Sequence, residues 1–282
     1  MKILSIQSSV AYGYAGNSSA VFPLQRLGHE VWPVYTVHFS NHTGYGQWRG
    51  LVFEPETIAE IITGIEERGV LPECDAVLSG YQGGMPVGAV ILDAVTRVKA
   101  ANPKAVYCAD PVMGDVERGF FVQPGVPEFI RDHVVPAADL ITPNQFELEF
   151  LTGRDIHSVT DLLTAIDAVR ARGPHSVLVT SVQTDDTPAD SVQMALAVGA
   201  DVWSVRTPLL PMYIEGAGDV SAAIFLARIL QESPQDTLAA VADSVFSIVE
   251  ATHRAGTREI QLIAAQDQIA NPARRFEVTR LR

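Results

Sequence analysis

The chain of 282 residues has two cysteines, few basic residues and no long hydrophobic run. Cys74 and Cys108 fall at or within predicted buried strands and form no C-x-x-C pair, so we expect structural, reduced thiols. Apolar runs are interrupted well before the roughly 20 residues that span a bilayer. The start of the chain lacks the extended apolar stretch of a signal peptide. These absences predict a cytoplasmic protein with no membrane partner.

Lysine and arginine are scarce. The chain has 20 of them against 33 Asp and Glu, which gives a formal net charge of −13. A nucleic-acid-binding protein needs a basic face that displaces counterions from phosphates, so nucleic acid is not expected as a partner. If the ligand is an anionic nucleotide, helix N-termini, backbone amides and a divalent cation must overcome the negative field of the protein.

Several familiar catalytic motifs are also missing. There is no G-x-x-x-x-G-K-[ST] and no G-x-G-x-x-G after the first predicted strand, which argues against a P-loop and a dinucleotide fold. Ser79-Gly80-Tyr81 is not a G-x-S-x-G nucleophile elbow. His38 and His42 are four residues apart, but their strand-to-loop context argues against a zinc site.

Short β-rich runs alternate with longer helical patterns along the whole chain. This rhythm predicts a three-layer α/β/α fold, with a central, mostly parallel sheet covered by helices on both faces. Nothing marks a boundary, so residues 1–282 are predicted to form a single domain. The predicted strands are Lys2–Gln7, Glu30–Val37, Asp75–Ser79, Ala105–Ala109, Asp139–Ile141, Ser176–Ser181 and a hairpin of Met194–Val198 with Asp201–Val205. The predicted helices are Ser18–Leu27, Pro55–Arg68, Val87–Ala100, Val126–His133, Val159–Arg172, Val220–Gln231 and Gln235–His253.

Polar and small residues follow several of these strands. The ends of five strands lead into Gln7-Ser8-Ser9, Phe39-Ser40-Asn41-His42-Thr43, Ser79-Gly80-Tyr81, Asp110-Pro111 and Thr142-Pro143-Asn144. In an open parallel sheet, ligands bind beyond the carboxyl ends of the strands. Each segment alone could be ordinary turn chemistry, but together they predict a binding site at this edge of the sheet.

The most informative segment is Glu215-Gly216-Ala217-Gly218-Asp219, which leads directly into an apolar helix. Small residues let backbone N–H groups approach a ligand, and the positive end of the helix points to the same place. This arrangement can hold a phosphoryl group, with Asp219 beside it as a possible base. The alternative is that Gly218 makes a turn and Asp219 merely caps the helix.

Taken together, these motifs resemble those of the pyridoxal kinases of the ribokinase-like superfamily, closest to the bacterial pyridoxal/pyridoxamine kinase type. The resemblance covers nearly the whole chain. It implies ATP-dependent phosphorylation of the 5′-hydroxymethyl group of pyridoxal in vitamin B6 salvage, with Mg²⁺ as cofactor, in a homodimer. The segments that carry it are Gly16–Gly28, Phe39–Gly46, Ser79–Tyr81, Asp110–Gly114, Thr142–Asn144, Gly216–Asp219 and Ala264–Pro272.

The resemblance implies a role for each matching residue. Asp219 matches the catalytic base, which also contacts the substrate, and the Gly216-Ala217-Gly218 backbone matches the hole for the developing negative charge. On the substrate side, Ser9 matches the residue that binds the pyridine ring, and Tyr81 matches the residue against the ring face. Thr43 matches the residue near the phenolic oxygen, with Gly44 beside it. On the ATP side, the matches are Asp110, Thr142, Glu147 and Thr180, with Asp110 and Glu147 also holding Mg²⁺, often through water.

Four of these roles have structural alternatives. Ser9 could complete a turn, Tyr81 could pack in the core, and Asp110 could be a buried turn residue. Glu147 could be a first-turn residue that complements a helix dipole. In addition, Tyr45 and Trp48 lie among glycines. They could belong to a mobile flap that excludes water or to an ordinary loop with aromatic anchors.

The chain also departs from the pattern. Thr180 occupies a position where close bacterial relatives can carry a Lys aimed at the ATP phosphates, and Thr cannot supply that charge. Gly44 replaces a Gln found in some relatives, and the segment from Gln82 differs from the usual sequence. Two other functions stay open: a kinase for hydroxymethylpyrimidine or another small heteroaromatic alcohol, and a weakly catalytic protein that binds B6 vitamers.

Overall fold

The computed structural model describes residues 1–282, which form twelve strands and ten α-helices. The strands are β1 (Lys2–Val10), β2 (Glu30–Phe39), β3 (Gly50–Val52), β4 (Ala76–Ser79), β5 (Val106–Ala109), β6 (Gly114–Asp115), β7 (Gly119–Phe120), β8 (Leu140–Ile141), β9 (Ser176–Val182), β10 (Ser191–Val198), β11 (Asp201–Pro208) and β12 (Val278–Arg280). The helices are α1 (Asn17–Arg26), α2 (Pro55–Glu67), α3 (Met85–Ala101), α4 (Val126–Phe129), α5 (Val135–Ala137), α6 (Gln145–Thr152), α7 (Val159–Arg170), α8 (Ala217–Ile229), α9 (Pro234–Ala255) and α10 (Gln266–Ala270).

Ten strands form one sheet in the order β12-β11-β10-β9-β8-β5-β4-β1-β2-β3. The six strands from β9 to β2 in this order are parallel to one another. Antiparallel strands extend the sheet at both ends, and β10 and β11 form the predicted hairpin. Strands such as β4 are buried along their whole length, which explains their continuous apolar sequence.

Helices cover both faces of the sheet. Successive strand residues point to opposite sides, so Leu4 packs into one core and Ile3 into the other. The Leu4 core includes apolar residues of α2, α3 and α7, whereas the Ile3 core includes those of α1, α8 and α9. The predicted three-layer α/β/α fold is therefore confirmed. No helix is both long enough and apolar enough to cross a membrane.

Some short elements were not predicted. The strands β3, β6, β7 and β12 have two or three residues each, too few to show the alternation that identifies a strand. The predicted helix Val126–His133 is interrupted by a π-helical turn at Ile130–Val134. The helix predicted from Val220 begins at Ala217 instead, which brings Asp219 into its first turn.

The order of the strands leaves a crevice beside β1. After β1 the chain adds β2 on one side, and it later crosses to β4 on the other side. Loops that leave such a reversal point diverge, and ligands bind in the gap between them.

Candidate active site

The carboxyl ends of the parallel strands border a cavity of about 650 Å³. It extends from the loops after β1 and β2, past those after β5 and β8, to the end of β9. Two predicted site residues, Ser9 and Gly44, do not line it. The predicted residues on its wall are Thr43, Tyr81, Asp110, Thr142, Glu147, Thr180, Gly216, Ala217, Gly218 and Asp219. The expectation that distant polar strand ends meet in one place is confirmed.

The start of α8 contributes a set of free backbone donors. Gly216 precedes the helix with φ 81°, a conformation that favours glycine. A Cβ at this position would lie 2.3 Å from the carbonyl oxygen of Tyr14, so a side chain does not fit. The Ser19 hydroxyl donates to the Gly216 carbonyl oxygen at 2.8 Å. The first N–H groups of the helix, at Ala217 and Gly218, have no partner within it and border the cavity.

Asp219 does not cap its own helix, so the capping alternative is wrong. Its Oδ2 accepts a hydrogen bond of 2.9 Å from the Gly16 backbone N–H, which lies at the start of α1. Burial raises the pKa of Asp219 to about 6, although the Gly16 hydrogen bond and the charge of His42 act in the opposite direction. A carboxyl that titrates near neutral pH at a cavity wall suits a general base.

Asp110 and Glu147 form a pair of buried carboxyls. The Thr142 hydroxyl donates to Asp110 Oδ1 at 2.9 Å, and Oδ2 has no hydrogen-bond donor from the protein. Burial, with the nearby charges of Glu147 and Asp219, raises the pKa of Asp110 well above its usual value. Burial also raises the pKa of Glu147 to about 8. A bound cation would favour the ionised form of these two neighbouring carboxyls.

Glu147 also has a structural role. It forms a capping box with Asn144 at the start of α6. Its Oε2 accepts from the Asn144 backbone N–H at 2.9 Å, and its Oε1 accepts from the Met113 N–H at 3.0 Å. The alternative prediction of a first-turn helix residue is confirmed. Since backbone donors occupy both oxygens, a cation at this carboxyl fits best through a bridging water.

On β1, the structure puts Ser8 rather than Ser9 on the cavity wall. Ser9 is buried, and its hydroxyl lies 3.1 Å from Ser18 Oγ and 3.2 Å from His38 Nδ1. Ser8 was not among the predicted site residues, although the alternation of side chains along a strand distinguishes the two positions. A Cβ built on Gly16 would lie 2.3 Å from Ser8 Oγ, so this hydroxyl adjoins the residue that holds Asp219.

The aromatic and loop residues of the predicted substrate side lie near Ser8. Tyr81 is partly buried on the wall, and the Thr36 hydroxyl donates to its carbonyl oxygen at 2.9 Å. Thr43 begins a 3₁₀ turn, Thr43–Tyr45, that covers this end. The Tyr81 ring is therefore available to a planar ligand rather than hidden in the core.

Charged residues hold the Thr43–Tyr45 turn in place. His42 Nδ1 lies 2.7 Å, and Arg258 Nη2 3.1 Å, from Oε1 of the buried Glu215. Burial alone would raise the pKa of Glu215, but the hydrogen bonds and charges of His42 and Arg258 lower it below its usual value. The Tyr45 hydroxyl donates to Glu259 at 2.7 Å, and the Arg258 guanidinium lies 4.0 Å from the Tyr45 ring centroid.

Gly44 contributes to this arrangement through its lack of a side chain. A Cβ there would lie 1.9 Å from Glu215 Oε1 and 2.8 Å from Arg258 Nη2. The roles of Arg258 and Glu259 were not predicted, because no local pattern links them to a turn more than 200 residues earlier.

Comparison with known proteins agrees with this geometry. The family model for phosphomethylpyrimidine kinase matches residues 57–261. A pyridoxal kinase PdxY of Rubrobacter xylanophilus is 54% identical, over 100% of this chain and 98% of the relative. One of Leifsonia xyli is also 54% identical, over 100% of both chains. The structure of the Leishmania donovani pyridoxal kinase with ADP and pyridoxamine has a TM-score of 0.93 at 27% identity, covering 100% of this chain and 99% of that one.

The packing around Gly44 generates a stability prediction. Gly44→Ala should lower the free energy of unfolding by ~1–3 kcal/mol, because the added methyl group must displace the ion-paired carboxylate of Glu215. Thermal and urea unfolding would measure the change. Gly64→Ala is the matched control, since Gly64 is exposed on α2 and nothing lies within 4 Å of its added Cβ; alanine there should stabilise the helix by about 0.5–1 kcal/mol. Equal effects of the two substitutions would contradict the prediction.

Proposed function

The chain belongs to the pyridoxal kinase family, and from this we propose that it transfers a phosphoryl group from ATP to the 5′-hydroxymethyl group of pyridoxal. The product is pyridoxal 5′-phosphate, as in vitamin B6 salvage. The observation that carries the proposal is the position of Asp219, whose pKa lies near 6, beside the free N–H groups at the start of α8. A base and an anion site thus meet in one cavity.

The chemistry follows from this geometry. Phosphoryl transfer depends on in-line positioning and charge stabilisation more than on covalent catalysis by the protein. Asp219 orients the alcohol and accepts its proton as the oxygen attacks. The N–H groups of Ala217 and Gly218 then stabilise the negative charge on the transferring group, aided by the dipole of α8. Because these donors belong to a helix, little reorganisation is needed during the reaction.

The two ends of the cavity suit the two substrates. Thr43 and Tyr81 lie at the end near β1, where an aromatic face can stack on a pyridine ring. Asp110, Thr142 and Thr180 lie toward β9 and would face the nucleotide. Mg²⁺ would neutralise phosphate charge there, held by Asp110 and, through water, by Glu147; such a partly hydrated site is typical of this ion. The observation that supports a metal ion here is Asp110 Oδ2, which accepts no hydrogen bond from the protein.

We also infer a single domain and a homodimer. One sheet contains strands from Lys2 to Arg280, which leaves no separate unit. The edge strand β3 exposes Leu51 and Val52 to 65% and 62%, and unpaired edges of this kind favour association with another chain. A second copy of the chain is the partner that we propose. Reduced, buried Cys74 and Cys108 agree with the cytoplasm as its location.

Asp219→Asn tests the proposed reaction. The variant should lose about 10²–10⁴-fold in kcat for pyridoxal, because the alcohol loses its base. The measurement is formation of pyridoxal 5′-phosphate with Mg²⁺ and ATP, with hydroxymethylpyrimidine as a competing acceptor. For the wild type, kcat/KM should fall about tenfold per pH unit below pH 6, where Asp219 becomes protonated.

The melting temperature of Asp219→Asn distinguishes a catalytic role of Asp219 from a structural one. The pKa of Asp219 is raised in the folded state, so its ionisation at pH 7 disfavours folding. Asparagine cannot ionise, and the melting temperature should stay constant or rise. A variant that melts early but keeps its turnover would contradict the catalytic role. Turnover of hydroxymethylpyrimidine and not of pyridoxal would reject the choice of substrate.

Ser8 and Ser9 provide a matched pair on one strand. Ser8→Ala should lower kcat/KM for pyridoxal by about 3–10-fold, the effect of losing one hydrogen bond to a ligand. Ser9→Ala should mainly lower the melting temperature, since the Ser9 hydroxyl bonds within the protein. Steady-state kinetics and thermal unfolding of both variants would measure this. If Ser9→Ala lowered kcat/KM and Ser8→Ala lowered only the melting temperature, Ser9 and not Ser8 would contact the substrate.

The dimer proposal is tested at β3. Leu51→Glu should convert a dimer into a monomer, because a charge placed in an apolar contact loses its hydration without gaining a partner. Sedimentation velocity of wild type and variant would show the change. Ile263→Glu is the control, as Ile263 is 53% exposed but lies outside β2, β3 and α2. A monomeric wild type, or a variant that remains dimeric, would reject this interface.

A further inference from the structure

The charged side chains on the wall of the cavity that would receive ATP are nearly all acidic. Arg118 is its one lysine or arginine side chain. A nucleoside triphosphate entering this cavity meets strong repulsion unless fixed positive charge compensates it. The carboxyl side chains on the wall are Asp110, Asp115, Glu117, Glu147, Glu215 and Asp219.

The end of β9 cannot supply that charge. Thr180 lies there on the cavity wall, almost fully buried, and its side chain is neutral. The next residue, Ser181, has φ 54°, an unusual conformation for a residue other than glycine. Strand β9, which continues to Val182, thus has an irregularity beside the cavity and presents no cation there, so positive charge has to come from another element.

Arg118 lies on the turn between β6 and β7 that borders the cavity. Its guanidinium lies 4.2 Å from the ring centroid of Phe121 and 5.1 Å from that of Tyr213. Tyr213 belongs to the segment that leads into Gly216 and the start of α8. The side chain therefore bridges from its turn to the segment beside the proposed anion site.

The present partner of Arg118 leaves it able to bind an anion. Its Nη2 and Nε lie 2.7 and 2.9 Å from Asp115 Oδ2 in a partly exposed ion pair, and exposed ion pairs contribute little to stability. A phosphate presents several oxygens to the planar guanidinium and can bind it in bidentate fashion. Exchange of the Asp115 carboxylate for a phosphate would therefore strengthen the interaction.

We propose that Arg118 binds the phosphates of ATP and supplies the positive charge that Thr180 lacks. The proposal deepens the proposed function and rests on it. Arg118 lies on the β6–β7 turn and the N–H groups of Ala217 and Gly218 lie at the start of α8, and both border the same cavity. The two sets of donors would therefore bind the same polyphosphate.

Binding of ATP to Arg118→Met, measured by calorimetry without pyridoxal, tests this. The Kd for Mg-ATP should rise about 10–100-fold, the range for loss of a charged hydrogen-bonding group. AMP, which has one phosphate, should lose much less, and the KM for pyridoxal should stay within about twofold of wild type. Arg118→Lys should be intermediate, because it keeps the charge and loses the planar fork.

Two further variants make the result specific. Arg254→Met removes an arginine that also pairs with a carboxylate, Glu250 at 3.6 Å, but lies outside the cavity; it should bind ATP like wild type. Adding Thr180→Lys to Arg118→Met should restore part of the ATP affinity, because the lysine returns a positive charge to the wall of the same cavity. A merely structural role for Arg118 would give no such rescue.

Unchanged ATP affinity in Arg118→Met, or equal losses for ATP and AMP, would overturn the proposal. So would the absence of any rescue by Thr180→Lys in a variant that melts like wild type. Failure of the proposed function gives a different result: the wild type would bind Mg-ATP but phosphorylate no B6 vitamer. The binding measurements would still decide the role of Arg118 in that case.

Discussion

The hydrogen bond from the Gly16 N–H to Asp219 joins the starts of α1 and α8, and the reacting end of the cavity depends on it. A second bond, from Ser19 to the Gly216 carbonyl, links the same helices. Gly216 lies so close to the Tyr14 carbonyl that no side chain fits. The carboxylate is therefore fixed relative to the free N–H groups of α8 by packing between helices. A base and an anion site held by rigid elements need little reorganisation when the substrate binds.

Opposing effects set the charge of this carboxylate. Burial disfavours ionisation, whereas the Gly16 N–H and the charge of His42 favour it, and the outcome is a pKa of about 6 for Asp219. Burial raises the pKa of Asp110 and of Glu147 as well, although the Thr142 hydroxyl donates to Asp110 and backbone N–H groups donate to both oxygens of Glu147. Because the chain has a net charge of −13, a bound cation would be most favourable at the nucleotide end of the cavity. This difference explains why one carboxyl suits proton transfer and the other two suit a metal ion.

The sequence predicted the fold and the general location of the site, because both follow from local periodicity. Parallel strands place their carboxyl ends at one edge, so the sequence alone was enough to expect Asp110 and Thr142 together. Finer detail required three-dimensional contacts. The strand β1 continues to Val10 rather than ending at Gln7, and its alternation then turns Ser8 toward the cavity and Ser9 away from it. No sequence pattern could connect Arg258 to a turn at Gly44, since their contact exists only after folding.

The segment from Tyr213 to Asp219 connects the parts of the cavity. Tyr213 packs against Arg118 of the turn at the nucleotide end, and Glu215 pairs with His42 beside the turn at the other end. Asp219 follows within the first helical turn of α8. This segment therefore links both turns to the helix that carries Asp219. Since Glu215 is buried and contacts both His42 and Arg258, this residue anchors the segment between the two turns.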